Sequence, residues 1–149
     1  MFFTIAAIVF ALDRLSKYIV VDSLVQGKSV ALIKDYLYFT YTKNFGAAFG
    51  LFSGYASFLI IIGIIISVII VFYYFGFQKK DMIYKLALGL ILGGSLGNLY
   101  DRIFLGYVVD FIDIRVLPIF NFADMMINLG VLLLITKSFI SERKSKCSR

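Results

Sequence analysis

Residues 55–75 read YASFLIIIGIIISVIIVFYYF, a run without one charged side chain. At 1.5 Å of rise per residue, a helix of this length covers roughly 30 Å, the hydrocarbon thickness of a bilayer. The rest of the chain has the same character, being 61% hydrophobic and only 16% charged, with a mean hydropathy of +0.93. A soluble domain is about 45–50% apolar and 25% charged, so the composition describes an integral membrane protein.

Working outward from that run, the 149 residues accommodate about four spanning helices and little else, at ~20 residues per span. Hydropathy places them near residues 2–21, 55–75, 86–104 and 119–140, which makes a single four-span membrane domain over residues 1–149. The first run starts like a signal sequence but has no basic leader and no small-residue cleavage site before Asp13, so a retained helix is expected. Between the first two spans, DYLYFTYTKN (35–44) alternates aromatic and hydroxyl residues in the manner of strands. The following FGAAFGLFSG (45–54) suggests tight turns or a short helix lying on the membrane. Residues 106–118, with the only proline, read as a short return loop.

The net charge of +6 would suit a nucleic-acid partner in a soluble protein, but here the cations cluster at the ends of apolar segments. Their distribution is a topology signal, and no nucleic-acid partner is expected. Lys79, Lys80, Lys85, Lys137, Arg143, Lys144, Lys146 and Arg149 stand on one side, against Lys28, Lys34, Lys43 and Arg115 on the other. The bias predicts that both termini are cytoplasmic and that the loops 22–54 and 106–118 face outside.

Against this apolar background, residues 93–124 (GGSLGNLYDRIFLGYVVDFIDIRVLPIFNFAD) carry Asp101, Asp110, Asp113 and Asp124. A charged side chain at mid-bilayer costs about 2.5–3.5 kcal/mol even on the mildest scale, so such residues ask for a functional explanation. Asn98, Asp101 and Arg102 share one helical face, as do Asn121, Asp124 and Asn128. With helix four starting at residue 119, Asp124 is expected roughly 8 Å inside its outer end. Asp13 and Lys17 are four apart on helix one, either as a self-neutralising pair or as a charge facing the bundle interior. These groups converge toward the outer face and predict a polar cleft there.

The chain has no histidine and one cysteine, Cys147 in a basic tail. Serine–histidine and cysteine–histidine catalysis and histidine-ligated metals are thereby excluded. What remains is carboxylate chemistry. Two close acids share a proton, so that one takes a proton from water while the other polarises a carbonyl. This logic needs neither metal nor cofactor. The GxGD motif of presenilin-type proteases is absent. By physical chemistry alone, a small proton-coupled transporter or channel fits equally.

Five blocks decide between these readings: DRLSK (13–17), TKNFGAAF (42–49), GGSLGNLYDR (93–102), VVDF (108–111) and FNFAD (120–124). Together they resemble the lipoprotein signal peptidase (signal peptidase II) family of bacterial membrane aspartyl proteases. The resemblance implies Asp110 and Asp124 as the catalytic pair, with Asp13, Lys17, Asn44, Gly94, Asn98, Arg102, Asn121 and Ala123 in supporting or substrate-binding roles. It assigns Asp101 a structural or supporting part; Asp113, by its place in the return loop, is expected to be a solvated loop acid. The resemblance further implies four transmembrane helices with a small extracytoplasmic β-cradle and a membrane-surface helix from the first outer loop. The expected substrate is a prolipoprotein whose lipobox cysteine carries diacylglyceryl, cut on the N-terminal side of that cysteine. The expected setting is the bacterial cytoplasmic (inner) membrane, with the site toward the extracytoplasmic face and a monomer among membrane lipid. Two departures stand out. Met125 occupies a position that is often serine in the family, and the link from Asp110 to Asp124 is short.

Overall fold

The computed structural model describes residues 1–76 and 81–147, apart from the side chains of Ala48 and residues 141–147. Lys79, Lys80 and Arg149, used above for orientation, lie outside the described residues. Four helices are present: α1 (Phe2–Ser23), α2 (Ala56–Gly76), α3 (Met82–Phe104) and α4 (Phe122–Cys147). Three strands accompany them: β1 (Ser29–Ile33), β2 (Leu37–Asn44) and β3 (Val108–Asp113). Three helical segments are long and apolar enough to cross a membrane: Ala56–Gly76, Met82–Phe104 and Phe122–Ile140. α1 is as long, at 22 residues, but carries Asp13, Arg14 and Lys17 within two turns.

α3 is the central helix, packing against the other three. The glycines of α3 explain how. A Cβ on Gly93 would lie 2.6 Å from the Ala6 carbonyl oxygen of α1, and one on Gly94 would lie 2.5 Å from the Ala123 carbonyl of α4. No larger residue fits between backbones at this distance, and such contacts replace the hydrophobic drive that lipid cannot provide. Phe2, Ala6, Ile70, Leu88, Ile91 and Leu92 fill the core between α1, α2 and α3. The outward faces are apolar instead of polar: Val68, Ile69 and Phe72 of α2 are mostly exposed. That inversion is what a lipid-facing perimeter requires.

The strands form one antiparallel sheet in the order β1-β2-β3. Thr42 sits opposite Asp110 and Tyr38 opposite Asp113, with a register irregularity between Phe39 and Thr42. Val20 of α1, Tyr41, Val109 and Phe111 pack beneath the sheet and seat it on the helices. Sequence reading took residues 106–118 as a plain loop, and β3 corrects it. The Ile112 amide donates to the Phe120 carbonyl and the Phe120 amide donates back to Ile112. The short link to α4 is therefore a tight excursion that returns to the end of β3.

Two further expectations need correction. Residues 45–52 contain a single 3-10 turn, Ala48–Gly50, where a membrane-surface helix was expected. Phe49 (φ 58°), Gly50 (φ 72°), Phe52 (φ 58°) and Gly54 (φ 88°) are all left-handed, which a continuous right-handed helix cannot accommodate. Asp113, expected to be solvated, is 5% exposed. It accepts the Thr40 hydroxyl at 3.0 Å and the Arg115 amide at 2.9 Å, with the Arg115 guanidinium 3.6 Å away. A carboxylate can be buried when donors replace its water.

Candidate active site

Asp110 lies on β3 and is 2% exposed. Its two oxygens accept from amide side chains, Oδ1 from Asn121 at 2.7 Å and Oδ2 from Asn44 at 2.9 Å. Asn44 ends β2, and its own oxygen accepts the Gly46 amide at 2.9 Å, which fixes which way the amide faces.

Asp124 is in the first turn of α4, not more than a turn inside it as helix-length reckoning suggested. α4 begins at Phe122 because Asn121 caps it. The Asn121 side-chain oxygen accepts the Asp124 amide at 3.0 Å, and Asp124 Oδ2 accepts the Asn121 amide at 3.2 Å. This reciprocal arrangement is a capping box, with a carboxylate favourably placed at the positive end of the helix dipole. Asp124 Oδ1 accepts from Asn98 Nδ2 at 2.7 Å. Asn98 Oδ1 in turn takes Asn121 Nδ2 at 3.1 Å and Lys17 Nζ at 2.9 Å. Asn121, fully buried, thus touches both acids.

Both aspartates line one cavity of about 1070 Å³, together with Asn44, Asn98, Arg102, Phe45, Phe49, Leu117, Pro118, Met125 and Asn128. Burial, reinforced by the charge of Asp124, pushes the Asp110 carboxyl up to about 6, against the opposing pull of its hydrogen bonds from Asn44 and Asn121. Arg102 donates to the Gly46 carbonyl at 3.0 Å and to the Asn98 carbonyl at 3.4 Å. Its cation is therefore turned onto main-chain oxygens that hold the 45–54 loop against α3.

Behind the cavity is a second set of charges. Lys17 Nζ lies 3.0 Å from Asp13 and 2.9 Å from Asp101, and Arg14 lies 2.6 Å from Asp101. Both acids are fully buried. The interior-facing alternative for Asp13 and Lys17 is the correct one. Each acid also reaches the backbone beside a site aspartate. Asp101 accepts the Val109 amide at 3.2 Å, one residue before Asp110. Asp13 accepts the Ala123 amide at 3.1 Å, one residue before Asp124.

The structure thus places Asn44, Asn98 and Arg102 in the cavity with the two aspartates, and Asp13, Lys17, Asn121, Gly94 and Ala123 against the elements that carry them. Gly94 and Ala123 act by their smallness where α3 meets α4. Asp101 has the structural part expected of it, whereas sequence reading passed over Arg14, which stood in the quoted DRLSK block. A buried acid without a nearby assigned cation was the available signal. Among the described residues, no group of three acids or thiols is arranged to hold a metal ion.

The fold and site together define a multi-pass membrane protein in which two carboxylates line one cleft at the junction of sheet and helix ends. Residues 5–140 match the family described as signal peptidase (SPase) II. The chain belongs to that family, and is a membrane aspartic endopeptidase. It is 43% identical over 140 residues to the lipoprotein signal peptidase of Desulfitobacterium hafniense, covering 93% of each chain. To the lipoprotein signal peptidase of Halothermothrix orenii it is 40% identical over 135 residues, covering 91% of this chain and 92% of that one. A bacterial membrane enzyme solved by the in meso method at 2.3 Å has the same fold, with a TM-score of 0.89 and 35% identity over 96% of this chain and 89% of the other. A second, solved at 1.9 Å, gives a TM-score of 0.83 and 37% identity over 90% and 89%.

Proposed function

We propose that Asp110 and Asp124 are the catalytic pair of this signal peptidase. The enzyme removes signal peptides from prolipoproteins, and we take the scissile bond to be the one on the N-terminal side of a diacylglyceryl-modified cysteine. One observation carries the reading. All four oxygens of these two carboxylates accept from amides, and no cation of the described residues pairs with either. They are held in place without a direct salt bridge, the charges of Arg102 and Lys17 acting on them only from further off.

One proton shared by the pair allows two jobs at once. The ionised carboxylate takes a proton from water as its oxygen attacks the scissile carbonyl carbon. The protonated carboxyl gives its proton to the carbonyl oxygen, yielding a neutral tetrahedral diol. On collapse the carbon–nitrogen bond breaks, the amide nitrogen takes up a proton, and the pair is left with one proton as before. Asn44, Asn98 and Asn121 orient the acids, Arg102 holds the 45–54 loop over the cleft, and Asp13, Lys17, Gly94 and Ala123 keep the helices beneath in register.

The same reading places α1 as the fourth span, with its charges turned inward onto α3. It sets the acids toward the extracytoplasmic side of the bacterial cytoplasmic membrane, following the Lys/Arg bias. Exposed Phe45, Phe49, Leu51 and Phe52 suit contact with the membrane surface, and the working unit is a monomer.

Asp110→Asn and Asp124→Asn, each purified and supplied with a diacylglyceryl prolipoprotein in detergent, test the assignment. Each should lose cleavage by about 10³-fold or more, the scale of a removed acid–base group. Cleavage near the wild-type rate by either variant would overturn it.

A further inference from the structure

Three asparagines line the cavity: Asn44, Asn98 and Asn128. Asn44 and Asn98 are spent on the protein itself, each holding a carboxylate with its nitrogen and an intramolecular donor with its oxygen. Asn128 is different. It lies one turn beyond Asp124 on α4, about 6 Å further from the helix start. It is exposed to the cavity, and its side chain makes no hydrogen bond within the described residues. Its neighbours in the wall, Leu117, Ile119, Met125 and Ile127, are apolar.

An amide on a membrane-spanning helix is costly to leave without a partner, because lipid offers none. Helix packing does not use this one and neither carboxylate is bonded to it. Its remaining opportunity is the occupant of the cavity. The wall residues flanking it on α4 and the preceding link are apolar, so an incoming chain would meet this donor-and-acceptor group beside hydrocarbon. Small binding sites orient their ligands in this way, with few polar groups set in apolar walls.

We propose that Asn128 is a substrate-contacting residue, donating through its amide to a carbonyl oxygen of the bound lipopeptide one helical turn from the scissile bond. This rests on the catalytic reading of Asp110 and Asp124 above and adds a determinant of substrate recognition to it. Two parts of the substrate offer that carbonyl: an acyl ester of the diacylglyceryl group, and a main-chain carbonyl freed where the signal helix ends. The chemistry is the same, and experiment separates the sources.

Wild type, Asn128→Leu and Asn128→Ser are compared on a diacylglyceryl prolipopeptide and on a matched dialkyl-ether version without ester carbonyls. Asn128→Leu should raise KM about fivefold to tenfold on the diacyl substrate, the worth of one neutral hydrogen bond. Its kcat should stay within about twofold, since the contact is made equally in ground and transition states. Asn128→Ser should recover part of the loss. If the difference between wild type and Asn128→Leu vanishes on the ether substrate, the partner is the ester; if it persists, the partner is the peptide. An unchanged KM on both substrates overturns the proposal, as does a lowered melting temperature with KM unmoved, which marks a structural role. Asp110→Asn in the same assay keeps the two readings apart, because its activity alone tests the catalytic pair.

Discussion

Two clusters of acids lie side by side in this molecule, and they are held by opposite means. Asp13 and Asp101 face Lys17 and Arg14 across 2.6–3.0 Å and are sealed from solvent. Asp110 and Asp124 meet only amides. A carboxylate against a cation is a fixed charge, useful as a post to which backbone can be tied. A carboxylate against neutral donors is positioned equally well but keeps its proton equilibrium adjustable. The first cluster bonds the amides of Val109 and Ala123, so it sets the place of the second. Lys17 joins the two clusters through Asn98, which accepts from Lys17 and donates to Asp124.

The contrast can be broken most severely by making the same change in both clusters. Asp110→Asn should leave a folded enzyme that has lost about three orders of magnitude in turnover. Asp101→Asn should instead lower the yield of folded protein, since Arg14 and Lys17 lose their shared partner. Melting curves alongside cleavage rates distinguish the two, and a well-folded, inactive Asp101→Asn would dissolve the distinction.

Removing the cation common to both acids of the first cluster comes next. Lys17→Met should cost about 3–5 kcal/mol of stability by leaving buried charge unbalanced. The double variant Lys17→Met/Asp101→Asn should cost less than the sum of the two singles, which denaturant unfolding in detergent will read.

A finer test concerns the adjustable proton. Burial pushes the Asp110 carboxyl up to about 6, so the protonated member of the pair should be lost as pH rises through that region, and cleavage should fall. The Asn44 hydrogen bond favours the ionised form; without it the proton is held more tightly. Asn44→Ala should therefore move the alkaline limb of the kcat/KM profile to higher pH. A limb that stays in place or moves down would separate Asp110 from the pH dependence.

The smallest effect is expected at the sheet edge. Arg115 stacks on Tyr38 at 3.8 Å beside Asp113 but is half-exposed. Arg115→Gln should cost about 0.5–1 kcal/mol and leave turnover unchanged.

Much of this was readable in one dimension. An uncharged run such as residues 55–75 has one stable home, and the helices begin within four residues of where hydropathy put them, although α4 runs on to Cys147. The capping box was present as Asn121 and Asp124 three apart, and would have started α4 at Phe122 had it outweighed the apolar residues before it.

Other features had no local signature. VVDFID becomes a strand only because β2, some 66 positions earlier at Asn44 and Asp110, offers an edge to pair with. Asp113 reads as a loop acid until Thr40, 73 positions away, supplies the donor that lets it be buried. The physical reason is common to both. Hydropathy, caps and turns act over a few residues, and their energies are set by the residues themselves. Whether an acid is neutralised by a cation or merely held by an amide depends on what three other elements bring to within 3 Å of it. Composition and pattern were enough to make this a membrane protein with acids where lipid does not welcome them; tertiary contact alone divided those acids into two held by cations and two held by amides.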